Sequence, residues 1–226
     1  MLKATAALLK ASHFPQTIAM TIFLGVSACL TGVVGSRLLL FIAAVLCGQL
    51  SVGWLNDLVD HELDRQVNRN KKPLVAKDLS PSALRIAIAI AITLCIPFSI
   101  ASAGLAGGMA HLAAVASAYC YNLWLARTVW SWVPYAISFG LLPIFIAQAG
   151  SILLWPKLSM ILLFVLVGVV AHLLNAVPDI DIDRKAGRGG FAVSLGRSKS
   201  LLLASVLSIA AATVAIFLFA GNAQVL

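Results

Sequence analysis

Asp57, Asp60, Glu62 and Asp64 put four carboxylates into eight residues of a chain that holds only eight Asp and Glu in all. If this stretch is helical, the ~100° step per residue brings Asp57, Asp60 and Asp64 within roughly 60° of one another on one face. Like charges so placed repel and favour protonation, so the arrangement makes most sense around a multivalent cation. Oxygen-only ligands select a hard ion, and Mg2+ is the expected cofactor. A second set lies at Asp179, Asp181 and Asp183. Asp179 and Asp183 are four residues apart and share a helical face, while Asp181 points elsewhere. His172 and Asn175 project with them provided that Pro178 does not rotate the helix. Two such clusters on one side of a helical bundle can clamp Mg2+ ions across its mouth, with diphosphate as a bridging ligand. Arg65, Arg69, Lys71, Lys72, Arg184, Lys185 and Arg188 stand nearby to neutralise diphosphate oxygens, Lys72 and Arg184 being preferred. The others fit equally the positive charge that collects at cytoplasmic span ends.

The elements that must position these groups are read from composition. With 61% hydrophobic and 11% charged residues and a mean hydropathy of +1.00, the chain is far from the ~25% charge of soluble domains. Apolar stretches long enough for a ~30 Å hydrocarbon core run at 14–35, 37–55, 83–103, 105–125, 131–150, 158–177 and 200–220. Gly104, Gly107 and Gly108 mark one joint. The expected fold is all-α: a polytopic transmembrane bundle of about seven helices, forming a single membrane domain over 1–226. No obvious internal repeat stands out.

All eight acids lie in the stretches after spans two and six. Of the sixteen Lys and Arg, only Arg37 and Lys157 fall on the opposite side. The positive-inside rule then makes the amino terminus and both acidic stretches cytoplasmic in a multi-pass cell-membrane protein. The net charge of +8 is scattered between apolar spans, which suits anionic lipid and a phosphate-bearing substrate and excludes nucleic acid. Cys29, Cys47, Cys95 and Cys120 each stand alone in apolar runs, without zinc or disulfide spacing. Lys3, Lys10 and the Val26-Ser27-Ala28-Cys29 run imitate a secretion signal, but the spans beyond them make the first apolar run a retained helix.

At these residues the chain resembles the UbiA superfamily of intramembrane prenyltransferases. Asn56, Asp57, Asp60 and Asp64 match its first signature, Asn-Asp-x-x-Asp-x-x-x-Asp. Asp179 and Asp183 match the second, Asp-x-x-x-Asp, and lead into Asp183-Arg184-x-x-Gly187 and Val193-x-Leu195-Gly196. The likeness covers roughly 10–200, with Lys72-Pro73-Leu74 and Tyr119 to Asn122 as less specific matches. Family members usually have nine membrane helices; about seven are expected here, so two carboxy-terminal helices and part of the cavity wall are expected to be missing. The family's frequent Tyr in the first basic loop has no counterpart.

The resemblance implies a Mg2+-dependent transfer of a polyprenyl group from an allylic diphosphate to an aromatic, quinone-precursor type of acceptor. It assigns Asp57, Asp60, Asp64, Asp179 and Asp183 to catalysis and, with Asn56, to metal. It assigns Asn56, Lys72, Asn175, Arg184, Tyr119 and Asn122 to substrate. An allylic cation needs a dry cavity with aromatic faces. Tyr119, Tyr121, Trp124, Trp130, Trp132, Tyr135 and Phe139 are candidates, although core packing or an interfacial belt accounts for most such residues. His61, His111 and His172 are candidate proton acceptors, against the commoner packed structural role. Asn122 and Gln148 also suit helix-to-helix hydrogen bonds. Gly187, Gly189 and Gly190 form a loop able to approach phosphate. The competing readings are a catalytically silent membrane scaffold that binds prenyl diphosphate, and a divalent-cation transporter. Transport acids recur at mid-membrane depth, where this chain has none.

Overall fold

The first helix has to stop before Pro15, whose ring cannot donate to the carbonyl of residue 11 and would collide with it. In the computed structural model, which describes residues 2–150 and 155–220, α1 (Leu2–Ala11) and α2 (Phe14–Leu30) meet there at a bend of 69°. Trp54 Nε1 donates to the Leu8 carbonyl at 2.8 Å, which holds α1 against α3 (Gly35–Gln66). Gly53 is required at the same place, because a β-carbon there would overlap the Ser12 carbonyl oxygen. With 32 residues, α3 is ~48 Å long. It outruns a ~30 Å hydrocarbon core, so its last turns carry the acidic residues beyond the apolar stretch while still helical.

The expected joint near Gly104 is a helical hairpin. Inside α4 (Pro81–Leu123), Gly104 leaves helical geometry at φ 66° and ψ −175°. Ser99 Oγ and His111 Nδ1 then come within 2.8 Å, where a straight helix would hold these residues ~18 Å apart. Gly108 lies against the Ile100 backbone, where a β-carbon would be crowded. His111 is buried and stacks on Phe145, which stacks on Phe41. That candidate proton acceptor is therefore a structural residue of the apolar core.

α5 (Val133–Ala149), α6 (Leu158–Ala176), α7 (Ile180–Lys185), α8 (Phe191–Leu195) and α9 (Arg197–Ala220) complete the chain. Pro178 does not end the helix. It sits in a single 3-10 turn, Val177–Asp179, with right-handed helical backbone on either side. Leu173, Val177 and Ile180 on this run pack with Ala192 and Ala204, and Leu203 and Leu207 close the cluster. Gly168 lets α5 approach α6, since a β-carbon there would strike the Tyr135 carbonyl. Small residues at such contacts compensate for the lack of a hydrophobic driving force between helices in lipid. Ile22, Phe23, Leu39, Ile86, Ile209 and Phe217 face outward, as a lipid-bathed surface requires.

Gly35–Gln66, Pro81–Leu123, Leu158–Lys185 and Arg197–Leu218 are each long and apolar enough to cross a membrane, and α1 and α2 reach that length only when the bent pair is taken together. With α4 divided at Gly104, each of the seven expected stretches coincides with a helical segment. The chain forms two compact units, Met1–Val115 with Phe145–Leu154, and Ala116–Ile144 with Trp155–Leu226. The first holds one acidic motif and the second holds the other.

Candidate functional site

In the first unit, Asp57 and Asp64 lie seven residues apart on α3, and each side chain is only 2% exposed. Burying two carboxylates is costly unless a cation comes with them. The loop after α3 supplies one. Lys72 Nζ donates to Asp57 Oδ1 at 2.6 Å and stands 4.0 Å from Asp64 Oδ2. Arg69 Nη1 reaches Asp64 Oδ1 at 3.3 Å. The Lys72-Pro73-Leu74 run is explained by what holds it. Pro73 and Leu74 are buried, and Leu74 and Leu79 pack with Ala7, Ala11 and Trp54, so the ammonium is aimed from a pinned base. Asp60, half-buried one turn along, accepts from Asn56 Nδ2 at 3.4 Å. His61 Nδ1 is buried without a hydrogen-bond partner. It lines a cavity of about 310 Å³ with Arg65, Leu74, Lys77 and Pro81.

In the second unit, Asp179 and Asp183 are both half-buried, whereas Asp181 is exposed. Arg188 Nη1 stands 3.8 Å from Asp183 Oδ1, and Arg184 Nη1 stands 3.9 Å from Asp181 Oδ1. Arg184 also donates to the Val193 carbonyl at 3.1 Å, which ties α7 to α8. Asn175 Nδ2 donates to the Tyr135 hydroxyl at 3.3 Å. The rings of Tyr121 and His172 both pack on Tyr135, at centroid distances of 5.1 Å. Phe139 stacks beyond it. His172 is buried; its Nε2 is 3.1 Å from Ser131 Oγ, which accepts from the Phe191 amide. Gly189 lets the glycine loop lie on the Arg127 carbonyl, where a β-carbon would overlap it. Of the other expected substrate residues, Tyr119 is half-buried and Asn122 is buried. Trp124 and Trp130 are exposed, in keeping with an interfacial belt.

The donor set of the first cluster suits a hard divalent cation: carboxylate and amide oxygens, with Asp57 Oδ2 buried and lacking any hydrogen-bond partner. A buried acceptor left unsatisfied is costly, and a metal ion is one way to satisfy it. Among the described residues, no three His, Cys, Asp or Glu side chains gather closely enough to form a preformed cage. Lys72 explains this for the first cluster, since its ammonium is the cation against Asp57. A metal ion would have to take that oxygen over.

Two features were hidden in the sequence pattern. One is a repeat. Asn56-x3-Asp60-x3-Asp64-Arg65-x2-Asn68-Arg69 recurs as Asn175-x3-Asp179-x3-Asp183-Arg184-x2-Gly187-Arg188, and the local geometry recurs with it. Asn68 (φ 54°) and Gly187 (φ 69°) are both left-handed helix stops. The amides of Arg69 and Arg188 donate to the carbonyls of Asp64 and Asp183, each at 2.8 Å. These are the capping bonds of a helix end. The available signal was the shared Asp-Arg-x-x-Asn/Gly-Arg pattern. The other is His13, whose Nε2 lies 3.4 Å from Lys72 Nζ across 59 residues of sequence. No local spacing could have paired them.

The sequence model of the UbiA prenyltransferase family matches residues 18–226. A UbiA homologue from Archaeoglobus fulgidus bound to GPP and Mg2+ is 17% identical, with a TM-score of 0.76 over 94% of this chain and 78% of that one. A digeranylgeranylglyceryl phosphate synthase studied in membranes is 19% identical, with a TM-score of 0.74 over 98% of this chain and 79% of that one. A UbiA homologue from Aeropyrum pernix K1 without ligand is 20% identical, with a TM-score of 0.68 over 92% of this chain and 80% of that one. No curated protein matches the sequence.

Proposed function

The chain belongs to the UbiA prenyltransferase family, and from that premise we propose that it moves a polyprenyl group from an allylic diphosphate to an aromatic acceptor of the quinone-precursor type. The observation that carries the reading is the buried Asp57 carboxylate, paired with Lys72 through one oxygen and with Oδ2 left over. A carboxylate is kept out of water with one oxygen on a movable cation and the other free for a ligand. The Archaeoglobus fulgidus homologue with GPP and Mg2+ supports the choice of diphosphate and metal. Asn56, Asp57, Asp60 and Asp64 would hold a metal ion in the first cluster, and Asp179 and Asp183 in the second. Mg2+, when bound, supplies charge neutralisation to the diphosphate leaving group.

The chain's own groups divide the remaining work. As the allylic C–O bond breaks, negative charge builds on diphosphate oxygens, and the donor to them is Lys72 at the first cluster or Arg184 at the second. Tyr121, Tyr135 and Phe139 offer a water-poor aromatic wall to the prenyl cation. The acceptor ring carbon bonds to the prenyl carbon and then gives up its proton. The amino terminus and both acidic stretches face the cytoplasm, in line with the basic residues. A cysteine at exposed Lys71 should then be shielded from an impermeant maleimide in intact cells, while one at exposed Lys157 is labelled. The opposite pattern inverts the orientation.

The decisive assay gives membranes containing this chain labelled prenyl diphosphates of several lengths, Mg2+ and a panel of aromatic acceptors. Diphosphate release should depend on the acceptor and vanish with EDTA or with Asp60→Ala. Full turnover by Asp60→Ala would remove the carboxylates from the chemistry. Binding without product from any pair would make the chain a prenyl-diphosphate scaffold.

A further inference from the structure

His13 occupies the bend between α1 and α2 in a left-handed conformation, φ 53° and ψ 51°, which is uncommon for a residue with a β-carbon, though less so for histidine. The contacts that hold the bend are visible. Ser12 is fully buried, its carbonyl accepts the Thr17 hydroxyl at 2.8 Å, and the same carbonyl is packed against Gly53 on α3. Trp54 fixes the preceding turn through Leu8. The bend is thus fastened to α3 one turn before Asn56 and Asp57. The imidazole reaches Lys72 Nζ at 3.4 Å while Asp57 Oδ1 holds the same ammonium at 2.6 Å.

An ammonium has three donors and no acceptor, so His13 Nε2 must be the acceptor and the ring proton lies on Nδ1. We propose that His13 is a positioning residue for Lys72: a neutral second berth that keeps the ammonium at the cluster when Asp57 is given up to a cation. A carboxylate in this place would compete for that cation, and an apolar residue would leave Lys72 only Asp64 Oδ2 at 4.0 Å, itself one of the residues expected at the metal. Lys72 is then presented to an anionic ligand, and under the prenyl-transfer reading that ligand is the diphosphate of a prenyl donor. The inference rests on that reading for the ligand, but not for the His13–Lys72 contact.

Two readouts other than turnover test it. Calorimetry measures binding of a short allylic thiolodiphosphate with Mg2+, and mass spectrometry tracks acetylation of Lys72 with Mg2+ alone, the state in which Asp57 is given up. His13→Gly should bind the analogue about tenfold more weakly, as expected for losing a hydrogen bond to a charged group. His13→Gln, whose amide oxygen can replace Nε2, should stay within about twofold of the wild type. In a Lys72→Met background His13→Gly should have no further effect, as coupling through one partner requires. Lys72 acetylation should rise about threefold or more in His13→Gly once the contact is lost. Glycine relaxes the left-handed backbone, so the melting temperature should not fall. An equal loss of affinity with and without Lys72, or unchanged acetylation, overturns the proposal. If the wild type does not bind the analogue, the prenyl-diphosphate reading fails instead. Acetylation alone then decides the role of His13: a rise supports it and no rise ends it.

Discussion

The two acidic motifs share a register and a helix-ending device, yet they treat their carboxylates oppositely. On α3, Asp57 and Asp64 are nearly removed from solvent, and the half-buried Lys72 brings its ammonium to them. After α6, Asp183 is 26% exposed and its Arg188 partner stands 3.8 Å away, while Asp181 is largely solvated. The same Asp-Arg-x-x-stop-Arg pattern thus yields one site whose carboxylates are sealed from solvent with a lysine at 2.6 Å, and one whose carboxylate keeps some solvent and meets its arginine at 3.8 Å. The difference arises in the loops beyond the two helix stops. The first loop buries Pro73, Leu74 and Leu79 beneath α1, whereas the second runs through glycines over the backbone of Arg127. Charge at the first site is therefore held more tightly in the fold than charge at the second.

Neutralising one carboxylate in each motif breaks this comparison most directly. Asp57→Asn and Asp183→Asn should each lower prenyl transfer by about 10²-fold or more, the usual loss when a charge-stabilising group leaves an active site. Their stabilities should differ. Asp57→Asn leaves Lys72 without its main partner, at a cost of about 1–3 kcal/mol, because the lysine retains some solvent. Asp183→Asn should cost less, about 1 kcal/mol or below, because its partner Arg188 stands at 3.8 Å rather than 2.6 Å. Adding Lys72→Met to Asp57→Asn should recover stability without recovering activity. Thermal melts in detergent beside the transfer assay measure both. Equal stability losses would mean that burial does not distinguish the motifs.

Legibility in the sequence tracks the range of the interaction. Apolar runs located the helices because lipid exposure is recorded residue by residue, and the acids stood out because so few were present. The continuation of α3 to Gln66 was an assumption of the three-carboxylate face, and the structure places that stretch in helix. Pro178 remained ambiguous from pattern alone, because a proline is compatible with a break, a kink or the single 3-10 turn that tertiary packing selects. The partner of Lys72 was out of reach. It depends on a loop that reverses at Asn68 and Lys77, both left-handed without being glycine. It also depends on α1, whose separate existence the apolar run beginning at residue 14 concealed. The bend at His13 was signalled only by Pro15.

Gly53 tests how far the first motif depends on α1. Gly53→Ala would put a methyl group onto the backbone of Ser12, and backbone cannot swing aside as a flexible side chain can. The expected cost is about 1–3 kcal/mol. Because His13 is bonded to Ser12, prenyl-diphosphate binding should weaken as well. The packing of His172 on Tyr121 and Tyr135 in the second unit, read from the His172 ring proton resonances, should stay unchanged. An unaltered melting temperature would show that α1 and α3 separate at little cost.

The finest comparison is between the two helix stops. Nothing lies within 4 Å of where a β-carbon on Gly187 would sit, so a substitution there senses the backbone alone. At φ 69°, Gly187→Ala should cost about 1 kcal/mol. The first motif ends its helix with Asn68 at φ 54° in the corresponding place, which shows that this cap accepts asparagine. Asparagine tolerates the left-handed region better than alanine because its short polar side chain can hydrogen-bond locally. Gly187→Asn should therefore lose only a few tenths of a kcal/mol, and Asn68→Gly should be neutral or slightly stabilising. Melts of the three variants decide this. If alanine and asparagine were equally costly at 187, the two stops would share dihedral angles without sharing energetics, and the repeat would end at the backbone.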